Sequence, residues 1–254
     1  MLAIERRNEI LEKLQADKRV VVSELSQIYE VSEETIRRDL EKLVNDGYAI
    51  KSYGGAVINE NISIDLPFNL RKKRNVIGKQ RIAELISARV KDGDSLMLDS
   101  SSTAVYTARA LKEKKNITVI TNSVEILIEL FDAVDWKVIS TGGVAREGSF
   151  ALVGPQTDKM LHSYHVDKTI ISCKGLDVAA GITDSDELHA NNKKTMLESA
   201  KERILAIDSS KFEQIAFTTI GQLDDIDMVI TDEKPDAKWL QAFAAAGVEC
   251  LYPE

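Results

Sequence analysis

The sequence predicts an α/β protein in two parts: a small helical domain closed by a hairpin, then a larger domain built on a mostly parallel sheet. Two observations predict it. Over residues 21–57 apolar side chains recur at helical spacing and give way to a Gly54-Gly55 turn. From Ile77 onward short apolar strands alternate with helical segments, the pattern of a sheet with helices on both faces.

The first part reads in order. Residues 3–16 form an amphipathic helix with Ile4, Ile10, Leu11 and Leu14 inward, and Val20 to Val22 are a short extended piece. Ser23 caps a second helix that ends at Tyr29 or Glu30. Val31 occupies a tight turn. Ser32 caps a third helix whose early acids, Glu33 and Glu34, suit the positive helix start. In that helix Ile36, Leu40, Leu43 and Val44 share one side, while Thr35, Arg38 and Lys42 fall opposite, with Arg37 on the flank. A helix packed through one face and offering hydrogen bonds and positive charge on the other has the layout of a recognition helix. Asn45, Asp46 and Gly47 stop it, with Gly47 as the left-handed residue. Tyr48–Ser52 and Ala56–Ile58 pair as a wing around Gly54-Gly55. The expected product is a winged helix-turn-helix over residues 1–58 that docks on duplex DNA.

Bulk charge argues the other way. The 254-residue chain has a net charge of −8 and a pI near 5.1, and acids outnumber bases even within residues 1–60. DNA binding must therefore rest on a local basic face rather than on bulk attraction. The two cysteines, Cys173 and Cys250, lie far apart without CxxC spacing. That excludes a disulfide framework or a thiolate zinc site and fits a reducing cytoplasm. The charged start MLAIERRNEI does not read as a signal peptide, and no apolar run approaches the roughly 18 residues of a membrane span. A soluble, cytoplasmic protein without membrane attachment is expected.

Residues 59–75 lack sustained periodicity and contain Pro67, so they read as a linker. Its run Arg71-Lys72-Lys73-Arg74 reads as a solvated helix start, with a phosphate contact as the alternative, because four consecutive charges radiate around a helix. Residues 76–254 form the second domain. Expected helices cover about 77–91, 103–113, 123–132, a segment after Pro155, a segment from Lys193, and 236–246. Expected strands cover 95–98, 117–120, 136–139, 151–153, 168–172, 204–207, 218–220, 228–230 and 248–251.

In such sheets ligands bind at the loops after the strands' carboxyl ends. Those loops read Asp99-Ser100-Ser101-Ser102-Thr103, Thr121-Asn122-Ser123, Thr141-Gly142-Gly143 and Lys174-Gly175. Small residues let backbone N–H groups approach an anion, helix starts add free donors, and hydroxyls and Lys174 complete a cradle for a phosphate and its neighbouring hydroxyls. There is neither GxxxxGK[ST] nor GxGxxG after a strand, so no nucleotide loop is read. His162 and His165 read as surface histidines and no metal or cofactor is assigned. Asp184, Asp186, Glu187 and His189 read as an acidic loop, solvated or, beside a phosphate cradle, able to bind sugar hydroxyls, serve as acid and base, or hold a divalent ion.

The segments VSEETIRRDLEKLVNDGYAIKSYGGAV, IGKQRIAELISARVKDGDSLMLDSSST, VITNS, STGG, VGP, GITDSDE and DSSKF resemble, in order, those of the DeoR family of bacterial transcriptional regulators. The resemblance implies a winged helix-turn-helix joined to a sensor domain similar in fold to ribose-5-phosphate isomerase and CoA-transferase domains. It implies a cytoplasmic repressor of a sugar-uptake or catabolism operon, modulated by a phosphorylated sugar and acting as a homodimer or homotetramer on double-stranded operator DNA. It further implies that Thr35, Arg37 and Arg38 contact DNA, that Lys51 and Tyr53 lie in the wing, and that Asp99 to Thr103, Asn122, Gly142, Lys174, Gly175, Lys193 and Lys211 line the pocket. With Ser32 and Lys42 for DNA, and Thr121, Ser123, Gly143 and Asp184 for the effector, these are the candidate residues. Two features depart from the family pattern: Ser101 stands where a Gly often precedes the final hydroxyl pair, and the wing has Lys51 and Tyr53 where Arg and His are often found. The competing function is a sugar-phosphate isomerase or deaminase with an appended DNA-binding domain, against which no second catalytic partner is found for the acidic loop.

Overall fold

The computed structural model describes residues 2–59 and 66–253, which divide into two compact units, residues 1–66 and 67–254. In the first, α1 (Ala3–Asp17), α2 (Val22–Tyr29) and α3 (Glu33–Asn45) enclose Ile10, Leu11, Leu14, Leu25, Ile36, Leu40 and Leu43, all buried. Ile4, expected inward, is exposed, because it sits in the first turn of α1 beyond the reach of α3's apolar stripe. Ser23 does not cap α2 either. The helix starts one residue earlier, at Val22, so that Val22 can be buried, and Val21 is the cap. Ser32 does cap α3, accepting a hydrogen bond from the Thr35 amide at 3.2 Å.

The end of α3 is a complete Schellman motif. Gly47, at φ 82°, donates to the Val44 carbonyl and Tyr48 donates to that of Leu43, each at 2.9 Å. The chain then returns through β2 (Ala49–Ser52) and β3 (Gly55–Ile58). The wing holds a third strand: β1 (Arg19–Val21) pairs antiparallel with β3, so β3 is central. Gly55 is needed there, since a Cβ would collide with the Val20 carbonyl.

Residues 67–75, expected within the linker, belong to the second unit. Phe68 and Leu70 of α4 (Phe68–Lys73) are fully buried, and an apolar pair of that size contributes about 1.5–3 kcal/mol each when removed from water. Residues 60–65 of that expected linker lie outside the described residues.

After α5 (Val76–Arg89) come β4 (Ser95–Leu98), α6 (Ser102–Ala110), β5 (Thr118–Thr121), α7 (Val124–Glu129) and β6 (Lys137–Ser140). A hairpin of β7 (Val144–Arg146) and β8 (Ala151–Val153), then α8 (Pro155–His162), lead to β9 (Val166–Ile171). The chain continues through β10 (Gly175–Asp177), β11 (Gly181–Asp184), α9 (Glu187–Glu198), β12 (Ala200–Ile207), β13 (Thr218–Gly221), β14 (Met228–Thr231), α10 (Ala237–Ala246) and β15 (Glu249–Leu251). Seven strands form one parallel sheet in the order β15-β14-β12-β9-β4-β5-β6. Alternate residues face opposite cores. Leu96, Leu98, Ile170, Ile204 and Ile230 pack under α5, α6 and α7, while Met97, Ile171, Leu205 and Val229 pack under α8, α9 and α10, the last through Trp239 and Phe243.

Two expectations change here. The segment 218–220 is not in the main sheet; β13 joins β10 and β11 in a separate antiparallel sheet. Helix α9 begins at Glu187 rather than at Lys193, because Asp186 accepts hydrogen bonds from the amides of Leu188 and His189 and starts it. Among the described residues no helix is long and apolar enough to cross a membrane.

Candidate functional site

In the first unit, α3 shows one buried and one open side. Arg37, Arg38 and Lys42 are exposed, opposite Ile36, Leu40 and Leu43. Each cation has a neighbour one turn away: Arg37 with Glu33 at 2.6 Å, Arg38 with Glu34 at 3.4 Å, Lys42 with Asp46 at 2.9 Å. Exposed pairs of this kind are worth about 1 kcal/mol or less, so a phosphate readily displaces the carboxylates. Ser32 and Thr35 share a hydrogen bond of 2.9 Å at the helix start. Lys51 is exposed on β2, and Tyr53 is wholly exposed at the tip of the wing.

Not every acid in this unit repels DNA. Asp39 is 3% exposed and accepts a hydrogen bond from Arg6 Nε at 2.6 Å, with Arg7 at 3.6 Å. It ties α1 to α3 from the inner side and sets the tilt of the basic face. The pairing cancels one acid against one base, so it leaves the excess of acids in this unit unchanged.

In the second unit the strand order reverses between β4 and β9. The chain steps outward through β5 and β6 on one side and through β12, β14 and β15 on the other. The crevice at the carboxyl ends of β4 and β9 is therefore the expected ligand position. Asp99, directly after β4, is 1% exposed; its Oδ1 accepts from the Ser101 amide and its Oδ2 from the Ser172 amide, both at 3.0 Å. The Ser172 bond fastens the loop after β4 to the loop after β9.

Lys193 of α9 reaches into the same place, 3.5 Å from Asp99 and hydrogen-bonded to Asp184 at the end of β11. Burial works against the Lys193 charge, but Asp184 and Asp99 together outweigh it and raise its pKa. Burial likewise opposes ionisation of Asp184, and Lys193 and Lys174 outweigh it, holding the carboxyl below its ordinary range. The result is a buried Asp99–Lys193–Asp184 ion triad. The expected acidic loop is thereby divided. Asp184 belongs to the triad, whereas Asp186 caps α9 and pairs with Arg146 at 2.7 Å, and Glu187 is exposed.

Around the triad stand the hydroxyl loops. Ser101 caps α6, accepting from the Ala104 amide at 3.1 Å. Ser100, Ser102 and Thr103 are buried at the N-terminus of α6, where backbone donors and the helix dipole favour an anion. Thr121 and Ser123 are committed locally: Thr121 Oγ1 donates to the Leu98 carbonyl at 2.7 Å, and Ser123 caps α7. Gly142 and Gly143 stand at the edge strand β6, exposed, and Gly143 leaves room for Thr157 of α8. Gly175 permits the close approach of the Gln214 carbonyl. Lys174 and Lys211 are half-buried; Lys174 acts on Asp184, and Lys211 acts on Cys173 beside it. Burial pushes the Cys173 thiol up to about 12, so it is an unreactive thiol.

Three features escaped the sequence reading. Asn192 lies on α9 beside Lys193, is buried, and donates to the Leu152 carbonyl, as does Asn122. Among the described residues each leaves its own Oδ1 buried without a partner, a state that costs about 1–3 kcal/mol per acceptor. Helix α4 lies along the carboxyl edge of the sheet. Phe68 donates to Gly148 of the β7–β8 hairpin, Lys72 pairs with Glu125 of α7, and Tyr106 of α6 donates to the Lys72 carbonyl. Finally, Lys79 of α5 is buried and donates to the Arg71 and Arg74 carbonyls, which fixes the end of α4. Burial lowers the Lys79 pKa to about 8, partly opposed by Asp208. A lysine in a helical pattern carries no sequence signal for such a role.

Comparison with known proteins agrees with both halves. The DeoR-like helix-turn-helix domain model matches residues 6–61 and the DeoR C-terminal sensor domain model matches residues 74–233. The HTH-type transcriptional regulator YulB of Bacillus subtilis is 43% identical over 95% of this chain and 93% of its own. The L-fucose operon activator of Escherichia coli is 34% identical over 90% of this chain and 95% of its own, and the glycerol-3-phosphate regulon repressor of E. coli 27% identical over 95% of each. Among solved structures, ribose 5-phosphate isomerase A of Methanocaldococcus jannaschii overlaps 53% of each chain, with 18% identity and a TM-score of 0.39. The chain belongs to the DeoR family of helix-turn-helix transcriptional regulators.

Proposed function

We propose that the protein represses a sugar-uptake or catabolism operon and that a phosphorylated sugar, held at the β4/β9 crevice, weakens its grip on operator DNA. The observation that carries the effector half is the α6 N-terminus, with Ser100, Ser102 and Thr103 at it and the buried triad beside it. A phosphate takes the helix-start donors, with Lys174 and Lys211 on its flank. Relatives named as an L-fucose operon activator and a glycerol-3-phosphate regulon repressor support control of a carbohydrate operon. The isomerase reading is weaker: Asp99 and Asp184 are both committed to Lys193, which leaves neither as a free general base.

On the DNA side, Thr35, Arg37, Arg38 and Lys42 face the major groove, with Lys51 and Tyr53 from the wing at the flanking backbone. Two copies place two such helices about 34 Å apart on a pseudo-palindrome. Footprinting on the DNA upstream of the protein's own gene tests this. Protection of two half-sites about one helical turn apart is expected, and absence of any protected segment there and across the neighbouring sugar genes overturns it.

A further inference from the structure

Resting on the sugar-phosphate reading of the same crevice, we infer that Asn122 and Asn192 form an acceptor pair that reads hydroxyl groups on the effector's carbon chain. They, rather than the phosphate cradle, determine which sugar phosphate is accepted.

The orientation of both amides is set by one atom. Asn122 Nδ2 donates to the Leu152 carbonyl at 3.0 Å, and Asn192 Nδ2 donates to the same oxygen at 3.3 Å. A carbonyl oxygen only accepts, so neither amide can be turned around, and both Oδ1 atoms point away from Leu152. Both residues are 2% exposed, and both Oδ1 atoms are buried without a partner. A structural asparagine that merely tied down β8 would satisfy its own oxygen; two adjacent ones that both fail to do so are matched to a donor from outside the chain.

Their place in the fold agrees. Asn192 precedes Lys193, which reaches Asp99 after β4. Asn122 follows β5, the neighbour of β4, and Leu152 joins the two asparagines. The contacts Asp99–Lys193, Asn192–Leu152 and Leu152–Asn122 run from the end of β4 through α9 and β8 to the end of β5. Carbonyl oxygens repel a phosphate, so this series of contacts has two chemically distinct ends. Donors at the start of α6 suit the phosphate, and the acceptors Asn122 Oδ1 and Asn192 Oδ1 suit hydroxyls. Both oxygens are shielded, so a ligand engages them as the groups packed over them give way, while the two bonds to Leu152 hold the amides in place.

The test uses the full chain, with affinities from thermal shift for inorganic phosphate, glycerol 3-phosphate, fructose 6-phosphate and glucosamine 6-phosphate. Wild type is expected to bind at least one sugar phosphate more tightly than inorganic phosphate. Asn192→Leu, close in size and free of the unpaired acceptor, keeps the phosphate response and loses about tenfold or more in affinity for that sugar phosphate. Asn122→Ala, the second variant, shows the same split and serves alone should Asn192→Leu fail to fold. Wild-type affinity for the sugar phosphate in a folded variant overturns the inference while leaving the crevice reading intact. A wild type that prefers no sugar phosphate over inorganic phosphate removes the crevice reading itself. A preference confined to glucosamine 6-phosphate reassigns the pair to an ammonium group and overturns the hydroxyl assignment.

Discussion

Replacing Lys193 with Met separates a buried ion triad from an ordinary packing contact. Asp99 and Asp184 are each about 1% exposed at the side chain, and Lys193 is their shared cation. At 3.5 Å, the Lys193–Asp99 separation, a unit pair attracts by about 5 kcal/mol at an effective dielectric near 20. Desolvation cancels part of that, and removing one partner of a buried pair costs about 3–5 kcal/mol, because a charge is left behind. For a sensor unit of this size the loss lowers the melting temperature by about 6–20 °C. Urea denaturation and thermal melts at pH 7 read it. The double variant Lys193→Met/Asp184→Asn removes one of the two stranded carboxylates and recovers part of the loss. The pH dependence has a definite sign. In the wild type, Asp184 is held below 3.8, so its contribution is complete above that pH and lost as pH falls through its folded value. In Lys193→Met the same carboxyl is stranded and its pKa rises above the unfolded value, so lowering the pH from 7 to 5 narrows the gap to wild type. A single variant within about 1 kcal/mol of wild type at pH 7, or a gap that ignores pH, refutes the triad as a stabilising unit.

Three further outcomes follow from the first unit. Arg38→Ala leaves the fold intact, since its side chain is 77% exposed, but weakens operator binding by about 1–3 kcal/mol and flattens the salt dependence by about one unit of slope per subunit, read by anisotropy at several salt concentrations. Asp39→Ala strands the Arg6 guanidinium and destabilises the unit by about 3–5 kcal/mol; circular dichroism melts show it, and operator binding falls although no DNA-facing group is changed. Gly55→Ala forces a Cβ into the Val20 carbonyl, opens the β1–β3 pairing, and costs about 1–3 kcal/mol by the same melts.

The legible parts of the sequence were those with a period or a local rule. Ile36, Leu40 and Leu43 announced the buried side of α3 through spacing, Ser32 announced its cap, and short apolar strands alternating with helical segments announced a sheet with helices on both faces. Long-range polar contacts have no such signature. Asp39 bonds Arg6 across 33 residues, and Asn192 meets Leu152 across 40, so neither is visible in a window of sequence. Phe68 and Leu70 looked like linker because two apolar residues beside Pro67 make no periodicity, yet their burial places α4 with the sensor unit. The start of α9 was missed because the polar run 184–192 resembles a loop; the capping of Leu188 and His189 by Asp186 makes it a helix.

The central claim is that a phosphorylated sugar at the β4/β9 crevice controls how firmly the α3 face holds DNA. Operator affinity measured by anisotropy, with and without the sugar phosphate that most stabilises the protein, tests it most directly. A coupling of about 1–3 kcal/mol, a change of roughly 5–150-fold in operator affinity, is expected, and the operator shifts the sugar phosphate's affinity by the same factor. An operator affinity unchanged at saturating sugar phosphate contradicts it.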